Sequence, residues 1–83
     1  MHPTLDALPI FEVPATLNGY PVIRCETHAR CATVMLKRSD VGVHPYVVAT
    51  FFPGQTGWSQ GGYHEDREAA DADFREVARS NAR

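Results

Sequence analysis

Apolar and polar residues alternate over short stretches between Ile10 and His64, and the spacing then changes to a helical one. Alternation with a period of two marks strands half buried in a sheet. The predicted strands are Ile10 to Leu17, Tyr20 to Glu26, Cys31 to Arg38, His44 to Phe52 and Trp58 to His64. Pro14 assigns the first to an edge, because proline cannot donate to a sheet ladder. Asn18-Gly19 supplies two residues that accept positive φ, the signature of a type I′ hairpin turn. That turn sets Leu17 opposite Tyr20 and Ala15 opposite Val22.

Strict alternation puts Ile23 and Cys25 on one face with Ala32, Val34 and Leu36. Val22, Arg24, Glu26, Cys31, Thr33, Met35 and Lys37 then occupy the other. The fourth strand is apolar on both sides, as a central strand is. Gly61 and Gly62 weaken the fifth and indicate a bulge or a close backbone approach. From Asp66 to Ser80 the apolar residues Ala70, Phe74, Val77 and Ala78 form one stripe of a helix. Asp66 or Glu65 caps its start, and Arg75 and Arg79 near its end complement the helix dipole.

The pattern predicts an α+β fold: an antiparallel β-meander of four to five strands with one C-terminal helix packed on the sheet. The helix is expected to lay Ala70, Phe74 and Val77 on the face bearing Ile23, Val34 and Leu36. The whole of 1–83 reads as one small domain, with an irregular arm over 1–9, the sheet over 10–64 and the helix over 66–80.

Composition narrows the function classes. A chain of 83 residues has little room for a deep cleft, which favours binding over catalysis. Eight basic residues against ten acidic ones argue against sequence-independent binding of nucleic acid, which depends on clustered bases. No apolar run approaches the roughly 20 residues of a membrane span. The first residues lack the basic and apolar regions of a signal peptide, so the chain reads as cytoplasmic and its two cysteines as thiols.

Cys25, His28 and Cys31 have the only metal-like spacing. In the hairpin register Cys25 points inward and Cys31 to the opposite face, so the three do not converge on one ion and no disulfide joins the cysteines. No metal site, cofactor site or catalytic residue is assigned. Cys31 with His28 or His44 lacks a recognised nucleophile–base context, and Gly54, Gly57, Gly61 and Gly62 do not lead into a phosphate-binding helix. His44 and His64, at a strand start and at the strand-to-helix junction, read as capping or solvated residues.

Trp58, Tyr63 and Gln55, on or beside the Pro53 to Gly57 loop, are candidate partner-binding residues, because Trp and Tyr anchor interfaces. Trp58 reads equally well as a core residue. The helix adds Asp71, Asp73 and Glu76 as a second candidate surface for a basic partner. The plainer account of those acids is a solvated face neutralised along the helix, Asp71 by Arg75 and Glu76 by Arg79 or Arg83.

The run Val47-Val48-Ala49-Thr50-Phe51, then Trp58 with Gly61-Gly62-Tyr63-His64, then Ala69-Ala70 and Phe74 resembles short accessory proteins of phages and plasmids. That class includes anti-CRISPR inhibitors. The resemblance covers about the last half of the chain and carries no functional residue with it. It implies a non-enzymatic module that binds a larger host protein or ribonucleoprotein complex as an inhibitor. The alternatives are a small nucleic-acid-binding regulator and a structural or dimerising domain, with a homodimer open in either case.

Overall fold

The computed structural model describes residues 12–40 and 42–82. Five strands, β1 (Thr16–Leu17), β2 (Tyr20–Thr27), β3 (Ala32–Lys37), β4 (Tyr46–Phe51) and β5 (Ser59–His64), precede one helix, α1 (Arg67–Asn81). The strands pair in chain order, each antiparallel to the next. This is the expected α+β meander with a C-terminal helix on it. The arm expected over 1–9 and the start of the first predicted strand at Ile10 lie outside the described residues.

The first hairpin follows its turn residues. Asn18 and Gly19 have φ of 53° and 85°, and Leu17 pairs with Tyr20. The Val22 amide donates to the Ala15 carbonyl. β4 begins at Tyr46 rather than His44, because His44 is left-handed (φ 55°) and Pro45 follows it without an N–H to donate. Asp66 caps α1 by accepting from the Ala69 amide at 2.8 Å.

β2 departs from strict alternation. Val22 pairs with Leu36 but Arg24 pairs with Met35, so Ile23 is an extra residue, a bulge. Val22 therefore packs with Ala32, Val34 and Leu36, where Ile23 was expected, and Ile23 is 38% exposed. Cys25 pairs with Val34 but is exposed, while Cys31 is buried and burial raises its thiol pKa. The inward and outward assignments of the two cysteines are thus reversed. Beyond the bulge β2 pairs, among the described residues, with β3 alone; Arg24 is half-buried against α1, and Cys25, Glu26 and Thr27 are exposed.

The helix lies on the face opposite to the one expected. Ala70, Phe74 and Ala78 are buried against Met35 and Val48, with Tyr46 and Val77 at the margin. The face of Val34 and Leu36, which continues through Val47, Ala49 and Phe51, is covered instead by Leu17, with Val13, Tyr20, Val22 and Trp58 packed against it. In a flat meander the β1–β2 turn and the β4–β5 loop lie at opposite ends of the sheet. Here the Asn18 amide donates to the Thr56 carbonyl at 3.1 Å, and the Tyr20 and Trp58 rings are 6.3 Å apart. The hairpin and the loop therefore both fold over the same face and meet there. The Ile23 bulge is where β2 bends to allow it. Both faces of β3 and β4 are buried in consequence, each fully buried Val or Leu contributing about 1.5–3 kcal/mol.

Candidate functional site

The expected site residues fall into three separate places. Trp58 is half-buried, leaning on Tyr20 and on the core beneath the hairpin. Its Nε1 lies where a Cβ on Gly61 would sit, 2.8 Å away, so Gly61 provides the space for the indole. Gln55 is turned to the loop itself. Its Oε1 accepts from the Phe52 amide and its Nε2 donates to Ser59 Oγ. Tyr63 is 47% exposed on the edge strand β5.

Tyr63 has a companion that the sequence did not single out. The Arg38 guanidinium stacks over its ring, 4.7 Å from the centroid, while Nη2 donates to the His44 carbonyl. Arg38 Nε is buried with no hydrogen-bond partner among the described residues. Val43, 64% exposed, lies in the same β3–β4 turn. An aromatic ring and a guanidinium thus stack at the end of the sheet from which the turn bearing Val43 leads. The signal for this was the meander register: Arg38 follows β3 opposite Pro45, and Tyr63 pairs with Val47 two residues on.

The acidic helix surface divides. Asp71 accepts from Arg24 Nη1 at 2.8 Å and from Arg67 Nε at 3.3 Å, not from Arg75 as expected. Partial desolvation raises its pKa, but the two guanidinium groups outweigh that and hold the carboxyl below its ordinary value. Arg24 also lies 4.2 Å over the Phe74 ring, so this cluster fastens α1 to β2. Asp73 Oδ2 lies 2.7 Å from His64 Nε2, and Gly62 leaves the space, since a Cβ there would sit 2.7 Å from the same oxygen. His64, expected to be capping or solvated, fastens α1 to β5. Glu76 is exposed and makes no ion pair among the described residues.

His28, expected only at a turn, joins a third cluster. Its Nε2 is 2.9 Å from Thr33 Oγ1, and Asn81 Nδ2 donates to Thr33 and Thr50 hydroxyls at 3.0 and 3.1 Å. Thr33 is fully buried, so this polar network holds the end of α1 to the sheet and offers no accessible nucleophile. Among the described residues no three His, Cys, Asp or Glu side chains gather as metal ligands, and no helix is long and apolar enough to cross a membrane.

No family model, no curated protein and no solved structure matches the chain.

Proposed function

We propose that this domain is a non-enzymatic protein-binding module whose contact surface is the Tyr63–Arg38–Val43 end of the sheet. The observation that supports this is the half-exposed Tyr63 ring held in place by the Arg38 guanidinium. Tyr and Arg are the residues that most often dominate interface energetics, and a side chain already fixed by a neighbour loses little entropy on binding. By contrast, Trp58 and Gln55 are committed to the loop and core, and Asp71 to its arginines. The resemblance of the C-terminal half to phage and plasmid accessory proteins makes a large host complex the partner to try first, with the domain acting as an inhibitor. The test is affinity capture from host lysate with the unmodified protein, Tyr63→Ala and Arg38→Ala, each checked for folding by circular dichroism. A partner recovered by the unmodified protein and lost with both folded variants is the expected result. A partner retained equally by all three would refute the assignment.

A further inference from the structure

The surface around Tyr63 includes the backbone of an edge strand, and the sheet register tells which of its groups point outward. In an antiparallel ladder the N–H and C=O of one residue point to the same neighbour, and those of the next residue to the other side. The Arg38 amide donates to the Pro45 carbonyl, and the β3–β4 register runs from there without a break. Pro45, Val47, Ala49 and Phe51 therefore face β3, and Tyr46, Val48 and Thr50 face β5. The same parity turns Cys31 toward β2, where its carbonyl does accept from the His28 amide at 2.8 Å. Tyr46 pairs with His64 and Val48 with Gly62, so His64 and Gly62 spend their backbone groups on β4. The N–H and C=O of Tyr63 point away from the sheet. Among the described residues β5 pairs with β4 alone.

The two edges differ in how they are guarded. β1 has two residues, follows Pro14, and its hairpin folds back over the sheet, while the part of β2 it leaves open carries the charged Arg24 and Glu26. β5 has six, with no proline and no lysine to discourage pairing, and its bulge lies between Ser59 and Gly62, before the regular stretch that holds Tyr63. The side chains beside it select what can pair. Gly62 and His64 face α1, where the carboxylates of Asp73, bonded to His64, and of Glu76, three residues on, line one surface with Arg75 and Arg79. Tyr63 faces the opposite side with the Arg38 guanidinium on its ring. A strand laid along β5 would thus place alternate side chains beside this helix surface, where Glu76 is a carboxylate without an ion pair among the described residues, and the ones between them beside an aromatic ring and a positive charge.

We propose that an extended segment of the partner, alternating basic and apolar residues, adds to β5 as a further strand. Its backbone bonds to the N–H and C=O of Tyr63, its basic side chains lie toward Asp73 and Glu76, and its apolar ones pack on Tyr63. This rests on the protein-binding reading above and specifies its mode: strand addition, in which main-chain bonds give affinity and alternate side chains give specificity.

The decisive variant methylates the Tyr63 amide nitrogen and keeps the side chain. It is accessible by ligating synthetic 31–83 to a 1–30 thioester at Cys31. The probe is a synthetic peptide of alternating lysine and valine, with a glutamate–valine peptide as its counterpart. The lysine peptide is expected to bind the unmodified protein, with N-methylation weakening it about tenfold or more, as loss of a main-chain bond with added crowding should. Glu76→Gln should weaken the same peptide and reduce its salt dependence, and the glutamate peptide should bind far less. Unfolding of the N-methylated protein should match that of the unmodified one; a large loss of stability would show that the amide is bonded within the fold and overturn the premise. Failure of both peptides to bind, or equal binding of both, would overturn the proposal. So would a dimer of the free protein that N-methylation dissolves, which would assign the edge to a second copy. If N-methylation spares capture of the host partner while Tyr63→Ala abolishes it, strand addition fails and the side-chain surface stands. If Tyr63→Ala also spares capture, the protein-binding reading itself fails.

Discussion

Asn81 is the residue on which the end of the helix depends. Its amide nitrogen has two hydrogens and donates to two hydroxyls, those of Thr33 and Thr50, both buried between helix and sheet. Removing one donor from a buried acceptor leaves a desolvated group behind, at about 1–3 kcal/mol. Asn81→Ala should therefore lower the unfolding free energy by roughly that amount in a urea titration. In a Thr33→Val, Thr50→Val background the same truncation should cost much less, because no hydroxyl is then left waiting. Equal costs in the two backgrounds would show that Asn81 acts by some other route. Gly62 matters for the opposite reason: it contributes only space, and the His64–Asp73 contact depends on the missing Cβ.

At the level of elements, α1 is fixed by an apolar stripe and by ion pairs on its two flanks. Phe74 lies at the centre of the stripe, 1% exposed, with Arg24 over its ring. Phe74→Ala should destabilise the protein by about 3–5 kcal/mol, since the rigid sheet beneath cannot collapse into the cavity. Chemical denaturation measures this directly, and a cost below about 1 kcal/mol would contradict the burial. Asp71 makes a prediction about acid. Its folded-state pKa lies below the ordinary carboxylate value, where the unfolded chain returns. It therefore stabilises the fold above that ordinary value, and the contribution is lost as pH falls through the lowered one. Melting temperatures across the acid range should fall less steeply for Asp71→Asn than for the unmodified protein, and added salt should narrow the difference. Identical acid profiles would mean that the Arg24 and Arg67 contacts do not persist in solution.

The whole molecule is a sheet covered on one face by a helix and on the other by its own first hairpin and last loop. The second cover is held by the Asn18–Thr56 bond, the Tyr20–Trp58 contact and the packing of Leu17 with Val13 and Val22. Trp58→Ala should remove the middle of these. The cost should fall below the roughly 3–5 kcal/mol of a fully buried aromatic, since Trp58 is only half-buried. Hydrogen exchange gives the sharper reading. The Asn18 amide should be protected in the unmodified protein and lose most of that protection in the variant, while the amides of β3 and β4 keep theirs. Uniform loss across the sheet would show that the hairpin and loop are part of one cooperative unit.

Local chemistry was enough to determine the elements. Asn18-Gly19 fixes its turn and pairing because few other residues accept two successive positive φ angles. Asp66 fixes the helix start by accepting the Ala69 amide, and the both-sided apolar run of Val47 to Phe51 marks a buried strand. Gly61 and Gly62 announced both the bulge in β5 and the close approach of Trp58 and Asp73. Which face the helix covers was not decided there. Val34 and Leu36 on one side and Met35 and Val48 on the other are both apolar, so either could have received Ala70 and Phe74. One unpaired residue at Ile23 bends β2, brings the hairpin over the Val34 side and leaves the other side to the helix. The candidate site was half legible for the same reason. Tyr63 stands out by residue type, but Arg38 is an ordinary strand-end arginine in the sequence. It becomes its companion only when the folded meander brings the end of β3 beside the last residues of β5. Pattern along a chain fixes what each segment can bury; only the three-dimensional pairing decides against what it is buried.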